Sequence, residues 1–444
     1  MTNTVYRNWG RTHSCIPYKY IEVDSEEKIL FYIKEAIDKG IKLKVVGYYR
    51  HSPSDLGMSS GILLCLKTFN KLINFEEIDS NNAMATFQAG ATLFDILKSL
   101  DPFGYTLEQM PAILDNTLAG VTAVSSHGTG MLVPSLANYV TAFKFITSEG
   151  KQLFCSENNN ADVYKAMQCH LGALGVITEI SFRCRPKFAL RHKINPLPFE
   201  EVLRDLDKHL YSTKHFLFLW YPYVDFVTTS TYSECSKSLV KTPSKFGWIL
   251  DYFFGNYLIE FLYGVGAMFG FVEFIEKILF WGIFGKKNEF SANSKDVLTM
   301  PILIKQHVID WAIPLENAKL FLKELRTYIR ELCPNPVHAP IVVRFAPSDD
   351  IWLSPCYNQN SCYVNVCSYR PFGFDVAHDA LWTEYERLAR KYNGRPHWGK
   401  SHNLNKRDFE KLYPKFNEFS KIRQQLDPQN LFVNRNLSNI FRID

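Results

Sequence analysis

From Ser25 onward the chain places its apolar residues on one helical face. Ile29, Leu30, Ile33, Ala36 and Ile37 follow the acidic pair Glu26 and Glu27, and Gly40 closes the run. This predicts a surface helix with one buried stripe. Ile41 to Val46 alternates and then becomes fully apolar, as a strand entering a core does, and delivers the chain to Gly47 and His51. The same order recurs further on. Met84 to Ala89 reads as a strand, Gly90 as a turn, and Thr92 with Asp95 as a capping box ahead of Leu93, Ile96, Leu97 and Leu100. The first half is therefore expected to be α+β or α/β.

Residues 117 to 130 are almost all small, β-branched or glycine, a composition that lets backbone approach a ligand closely or that forms a tight loop under a sheet. In a second such stretch, residues 170 to 180, two glycines precede a strand-like Val-Ile-Thr. Neither carries the G-x-G-x-x-G of a dinucleotide fold, and the run Gly264 to Gly270 has the wrong final spacing and no β signal before it.

From about Pro186 the pattern turns aromatic, and Trp248 to Phe284 is the most apolar region. Charges at Asp251, Glu260, Glu273, Glu276 and Lys277 keep any uninterrupted run below the roughly 18 residues of a spanning helix. Buried core helices are one reading. Helices lying in a membrane interface, with Lys286 and Lys287 at the edge, are the favoured one, because so many aromatics are hard to bury in a domain this small. Beyond it, Ile341 to Phe345 and Cys362 to Tyr369 read as strands and Asp375 to Tyr392 as a charged helix. Arg395-Pro-His397-Trp-Gly-Lys400 then gathers titratable groups around a tryptophan.

Composition narrows the choices. With 444 residues, 46% hydrophobic and 21% charged, the chain is globular and long enough for two or three domains. A net charge of +5 with no basic run argues against nucleic acid as a partner. Ten scattered Cys, none in C-x-x-C, indicate buried thiols rather than a metal site or a disulfide scaffold. The polar start, Met1 to Cys15, lacks the apolar core of a cleaved signal. Nothing in the sequence sets an oligomeric state.

Several segments, taken in order, resemble the L-gulonolactone oxidase family, in the sugar-1,4-lactone oxidase group of vanillyl-alcohol-oxidase-type flavoenzymes. They are Asn8-Trp9-Gly-Arg-Thr12, Val45-Val46-Gly47, His51-Ser-Pro-Ser-Asp55, Ser126-His-Gly-Thr-Gly130, His170 to Val176, Gln306 to Pro314, Val343-Arg344-Phe345 with Asp349 to Cys356, and Arg395 to Lys400. The resemblance runs nearly end to end. It implies an FAD-binding domain of the PCMH type over residues 1–185, an α+β substrate cap over 186–394, and a C-terminal segment, 395–444, returning to the flavin site. It also implies FAD bound covalently at His51. Gly47, Arg50, Ser52, Ser54 and Asp55 would lie beside pyrophosphate or ribose, and Ser126, His127, Gly128, Thr129, Gly175 and Ile177 near flavin and adenine. The implied chemistry is oxidation of a sugar 1,4-lactone at its C2 hydroxyl, with O2 as acceptor and hydrogen peroxide as product. Arg344 and Lys400 are the candidate cations at the flavin N1 end, with His397 beside them. The implied location is a membrane surface of the endoplasmic reticulum.

The chain also departs from that pattern. Where the family reads Glu-Val-Arg, Val342-Val343-Arg344 lacks the carboxylate two residues before the guanidinium. Gly47-Tyr48-Tyr49-Arg50 replaces a run of glycines, and Pro111, Ala123 and Ser125 also stand at glycine positions of the family.

Overall fold

The computed structural model describes residues 5–239, 245–300, 302–335 and 337–443. The side chains of residues 239, 245–256 and 339 lie outside the described set, Trp248 and Asp251 among them, as do the first four residues of the polar start.

Two sheets build the first half. A parallel three-stranded sheet takes the order Lys19–Glu22, Ile62–Cys65, Leu43–Val46. The helix Glu26–Asp38 joins the first strand to the third; the Ser25 side chain accepts from the Lys28 amide, and Ile29, Ile33 and Ala36 are buried. The second sheet is antiparallel and runs Gln152–Ser156, Val140–Ile146, Val176–Pro186, Asn82–Gln88, Leu72–Asp79. The capping box is present: Thr92 and Asp95 satisfy each other's backbone amides at the head of Leu93–Leu100.

The second half is one antiparallel sheet of eight strands. Its order is Asn288–Asn293, Ala189–Pro198, Phe226–Cys235, His215–Tyr221, His338–Ala346, Ser361–Tyr369, Gln306–Pro314, Arg395–Pro396. Strand alternation divides its faces. Ile341, Val343, Phe345, Ile309, Trp311 and Ile313 enter the main core, where the helices Leu315–Thr327 and Asp379–Lys391 also bury residues, and each such side chain contributes about 2–3 kcal/mol on burial. Val342, Arg344, Val308 and Asp310, one residue out of phase, face the first half across a cavity.

The C-terminal residues close the first half. Leu43 donates its amide to the Leu431 carbonyl at 2.9 Å, and Asn434 Nδ2 donates to the carbonyls of Asp55, Leu56 and Met58. The buried Lys44 ammonium reaches the carbonyls of Leu171, Gly172 and Phe432, and burial lowers its pKa to about 7.

Three local expectations need adjustment. Residues 118–123 form a short helix rather than a loop, because Thr117 caps it by accepting the Gly120 amide. The charged helix starts at Asp379, not Asp375, since residues 371–373 make a tight turn with Phe372 and Gly373 at positive φ. Gly264 and Gly266 lie inside the helix Lys245–Phe269, which confirms that they form no dinucleotide loop.

That helix and Val272–Leu279 are neither wholly buried nor spanning. Tyr263, Val272, Ile275 and Leu279 make a small core, while Phe261, Met268, Phe274, Ile278, Trp281 and Ile283 stay more than half exposed. Among the described residues no helix is long and apolar enough to cross a membrane.

Candidate active site

A cavity of about 540 Å³ lies between the halves, the size of an ordinary cofactor or ligand pocket. Its walls are the loop 44–58, residues 111–127, the turn 170–177, the inner face of the eight-stranded sheet and the turn His397–Lys400.

His51 lies in the first wall. The Asn8 to Thr12 segment holds its loop: Asn8 Nδ2 donates to the Ser52 carbonyl, Thr12 Oγ1 to the Pro53 carbonyl, and the Trp9 ring stacks on His51 with centroids 5.3 Å apart. Nε2 of His51 is buried and makes no hydrogen bond, with Asp115 Oδ2 3.5 Å away. Burial lowers the His51 pKa, opposed by Asp115 and aided by Lys305 and Lys400, so the site favours the neutral ring. A buried, unpartnered nucleophilic nitrogen facing a pocket of this size fits attachment to a flavin ring.

The bulky replacements before His51 do not fill the pocket. Tyr48 and Tyr49 are 37% and 44% exposed and stand at its mouth, with Lys67 Nζ 3.9 Å from the Tyr48 ring centre. Arg50 takes φ +61°, a left-handed conformation that favours glycine. Arg50 lines the cavity, with its guanidinium over the Tyr6 and Tyr20 rings. Ser125 is likewise left-handed, at φ +45°.

Of the remaining candidates, Gly47, Ser52, Ser54, Ser126, His127, Gly175 and Ile177 line the cavity, whereas Asp55, Gly128 and Thr129 do not. Asp55 accepts from Asn436 Nδ2, and Thr129 Oγ1 donates to the Phe216 carbonyl. A Cβ at Gly128 would sit 2.0 Å from the Gln109 side-chain amide, which would have to shift.

The opposite wall carries the charge. Arg344 and Lys400 both line the cavity, and neither makes an ion pair among the described residues. Burial lowers both pKa values while Asp310 opposes the shift. His397 accepts the Gly399 amide at Nδ1, and burial with Lys400 nearby lowers its pKa to about 3. It is a neutral hydrogen-bond donor through Nε2, not a third cation.

Sequence reasoning missed Asp310 and Asn365 beside them. Strand pairing aligns Leu219, Val342, Asn365 and Asp310 in one row across four strands, all facing the cavity. Asn365 Nδ2 donates to Asp310 Oδ2 at 3.0 Å, and His127 Nε2 lies 3.6 Å from the same oxygen. The His127 ring stacks on Tyr363 with centroids 3.5 Å apart. Burial would raise the Asp310 pKa, but His127, His397 and Lys400 hold it below the usual carboxylate range. Asp310 is therefore an anion sealed into the wall.

The architecture is that of a PCMH-type FAD-binding flavoprotein. Residues 17–156 match the FAD binding domain model, and the fold superposes on the crystal structure of cholesterol oxidase from Brevibacterium sterolicum with a TM-score of 0.78 at 14% identity, covering 98% of this chain and 96% of that one. Residues 180–440 match the D-arabinono-1,4-lactone oxidase model. The chain is 38% identical to L-gulonolactone oxidase of Bos taurus over 98% of both chains, and 27% identical to L-gulono-1,4-lactone dehydrogenase of Mycobacterium tuberculosis over 97% of both. It belongs to the sugar-1,4-lactone oxidase family.

Proposed function

We propose that this protein oxidises a sugar 1,4-lactone of the L-gulono-1,4-lactone type at its C2 hydroxyl, using FAD and passing the electrons to O2. The observation that carries the reading is the convergence on one cavity of the buried His51 side chain and two cations, Arg344 and Lys400, that make no ion pair among the described residues. Bound FAD supplies the hydride acceptor, and its reoxidation by O2 yields hydrogen peroxide. Lys400 and Arg344 stabilise negative charge that develops in the pocket, and the His397 Nε2 hydrogen orients an acceptor there. His51 tethers the cofactor covalently.

The test is direct. Acid precipitation of the purified protein is expected to leave yellow, fluorescent flavin in the pellet, and His51→Ala to move it to the supernatant. L-gulono-1,4-lactone is expected to release peroxide. A colourless pellet and supernatant from the unmodified protein would overturn the flavin reading.

The reading extends to a membrane surface, that of the endoplasmic reticulum. It is supported by the exposed apolar residues Phe261, Met268, Phe274 and Trp281 of the aromatic helical segment, with Lys286 and Lys287 exposed just beyond them in sequence. The double variant Phe274→Ser/Trp281→Ser is expected to lower co-flotation with phosphatidylcholine–phosphatidylserine vesicles at least about tenfold, each ring contributing on the order of 1–2 kcal/mol. Equal flotation of both proteins would refute an interfacial role for this face.

A further inference from the structure

On the opposite face of the eight-stranded sheet from the cavity, His307, Asp375 and His378 present one ligand atom each, all within 4.8 Å of one another. We propose that these three residues form a divalent transition-metal site of the zinc class. His307 comes from the strand Gln306–Pro314 and the other two from the loop before Asp379–Lys391, so their separation in sequence hides them from any spacing rule.

Three features favour metal over an ordinary ion cluster. The His307 and His378 rings stack with centroids 4.0 Å apart, which brings both imidazoles to one side of Asp375. His378 Nδ1 lies 2.8 Å from the Val376 carbonyl, the arrangement that fixes the tautomer of a metal-ligating histidine, and its Nε2, with Asp379 Oδ1 4.0 Å away, is the atom turned to coordinate. Both rings are largely shielded while Asp375 is 68% exposed, so the site has one open side for water.

Competing contacts are equally plain. Asp375 Oδ1 lies 2.6 Å from His307 Nε2 and 3.4 Å from Arg370 Nε. A tetrahedral ion with bonds of about 2.0–2.2 Å places its ligands about 3.4 Å apart. Metal entry therefore requires Asp375 to rotate, offering Oδ2, while Arg370 keeps its bonds to the Gly10 and Arg11 carbonyls.

The inference is independent of the lactone reading. Isothermal titration of the chelator-treated full-length protein with zinc sulfate at pH 7.5 is expected to show one saturable site of micromolar dissociation constant or tighter. His378→Ala and Asp375→Asn are each expected to weaken it by about a hundredfold, with flavin content unchanged. Absence of saturable binding, or equal binding by both variants and the unmodified protein, would identify the cluster as an Arg–His–Asp ion pair only.

Discussion

Replacing Val342 with glutamate is expected to raise turnover of L-gulono-1,4-lactone by the flavin-loaded protein about a hundredfold, the usual worth of a positioned acid or base. Val342 lines the cavity two residues before Arg344 on the same strand face, so the new carboxylate would enter the pocket beside a cation. Valine can neither accept a proton nor bond a hydroxyl. Asp310, in the same row, does not replace the missing group. It stands two strands away, about 9–10 Å, its Oδ2 is taken by Asn365 and faces His127, and its Oδ1 is closed off from solvent. The comparison is of kcat between the two proteins at equal flavin content. If Val342→Glu binds flavin fully and turns over no faster, the missing carboxylate is not what limits the rate.

Acid is expected to destabilise the fold steeply between pH 6.5 and pH 5. Burial lowers His170, His192, His338 and His402 to a pKa of about 4, and His397 to about 3. In the unfolded chain these rings take up protons as pH falls through about 6.5, and the folded state cannot follow until about pH 4, so stability is lost on acidification. Two carboxyls act in the opposite sense. Burial raises Glu276 to about 8 and Asp349 to about 6, so each keeps a proton in the fold that the unfolded chain gives up. The histidines outnumber the carboxyls, so the unfolded chain binds more protons than the fold over this interval and stability falls on acidification, against a total of about 5–15 kcal/mol. Urea titrations at fixed ionic strength should show the midpoint falling sharply from pH 6.5 to 5. An unchanged midpoint would mean these rings are hydrated in the native state.

What could be read from the sequence was local. The cap at Ser25, the Thr92–Asp95 box and the alternation of Ile341 to Phe345 each reside in a few neighbouring residues, and the structure repeats them. The site was only half legible. His51, Arg344 and Lys400 were found through a family resemblance, but Asp310 and Asn365 acquire their role from strand register across residues more than fifty apart, which no local pattern encodes. Runs read as continuous site segments were also split by geometry. In Ser54-Asp55 and His127-Gly128-Thr129 the first residue faces the cavity and its successors turn to Asn436, Gln109 and Phe216. Asp310 itself was passed over because a lone aspartate in an apolar strand gives no signal until its partners are known.

The bonds from residues 431–434 to Leu43, Lys44 and the 55–58 loop have a consequence for synthesis. A ribosome must have made residues 431–434 before the strand leading to His51 has its last backbone partner. The amino-terminal sheet thus emerges first and is completed only once this distant segment has been made.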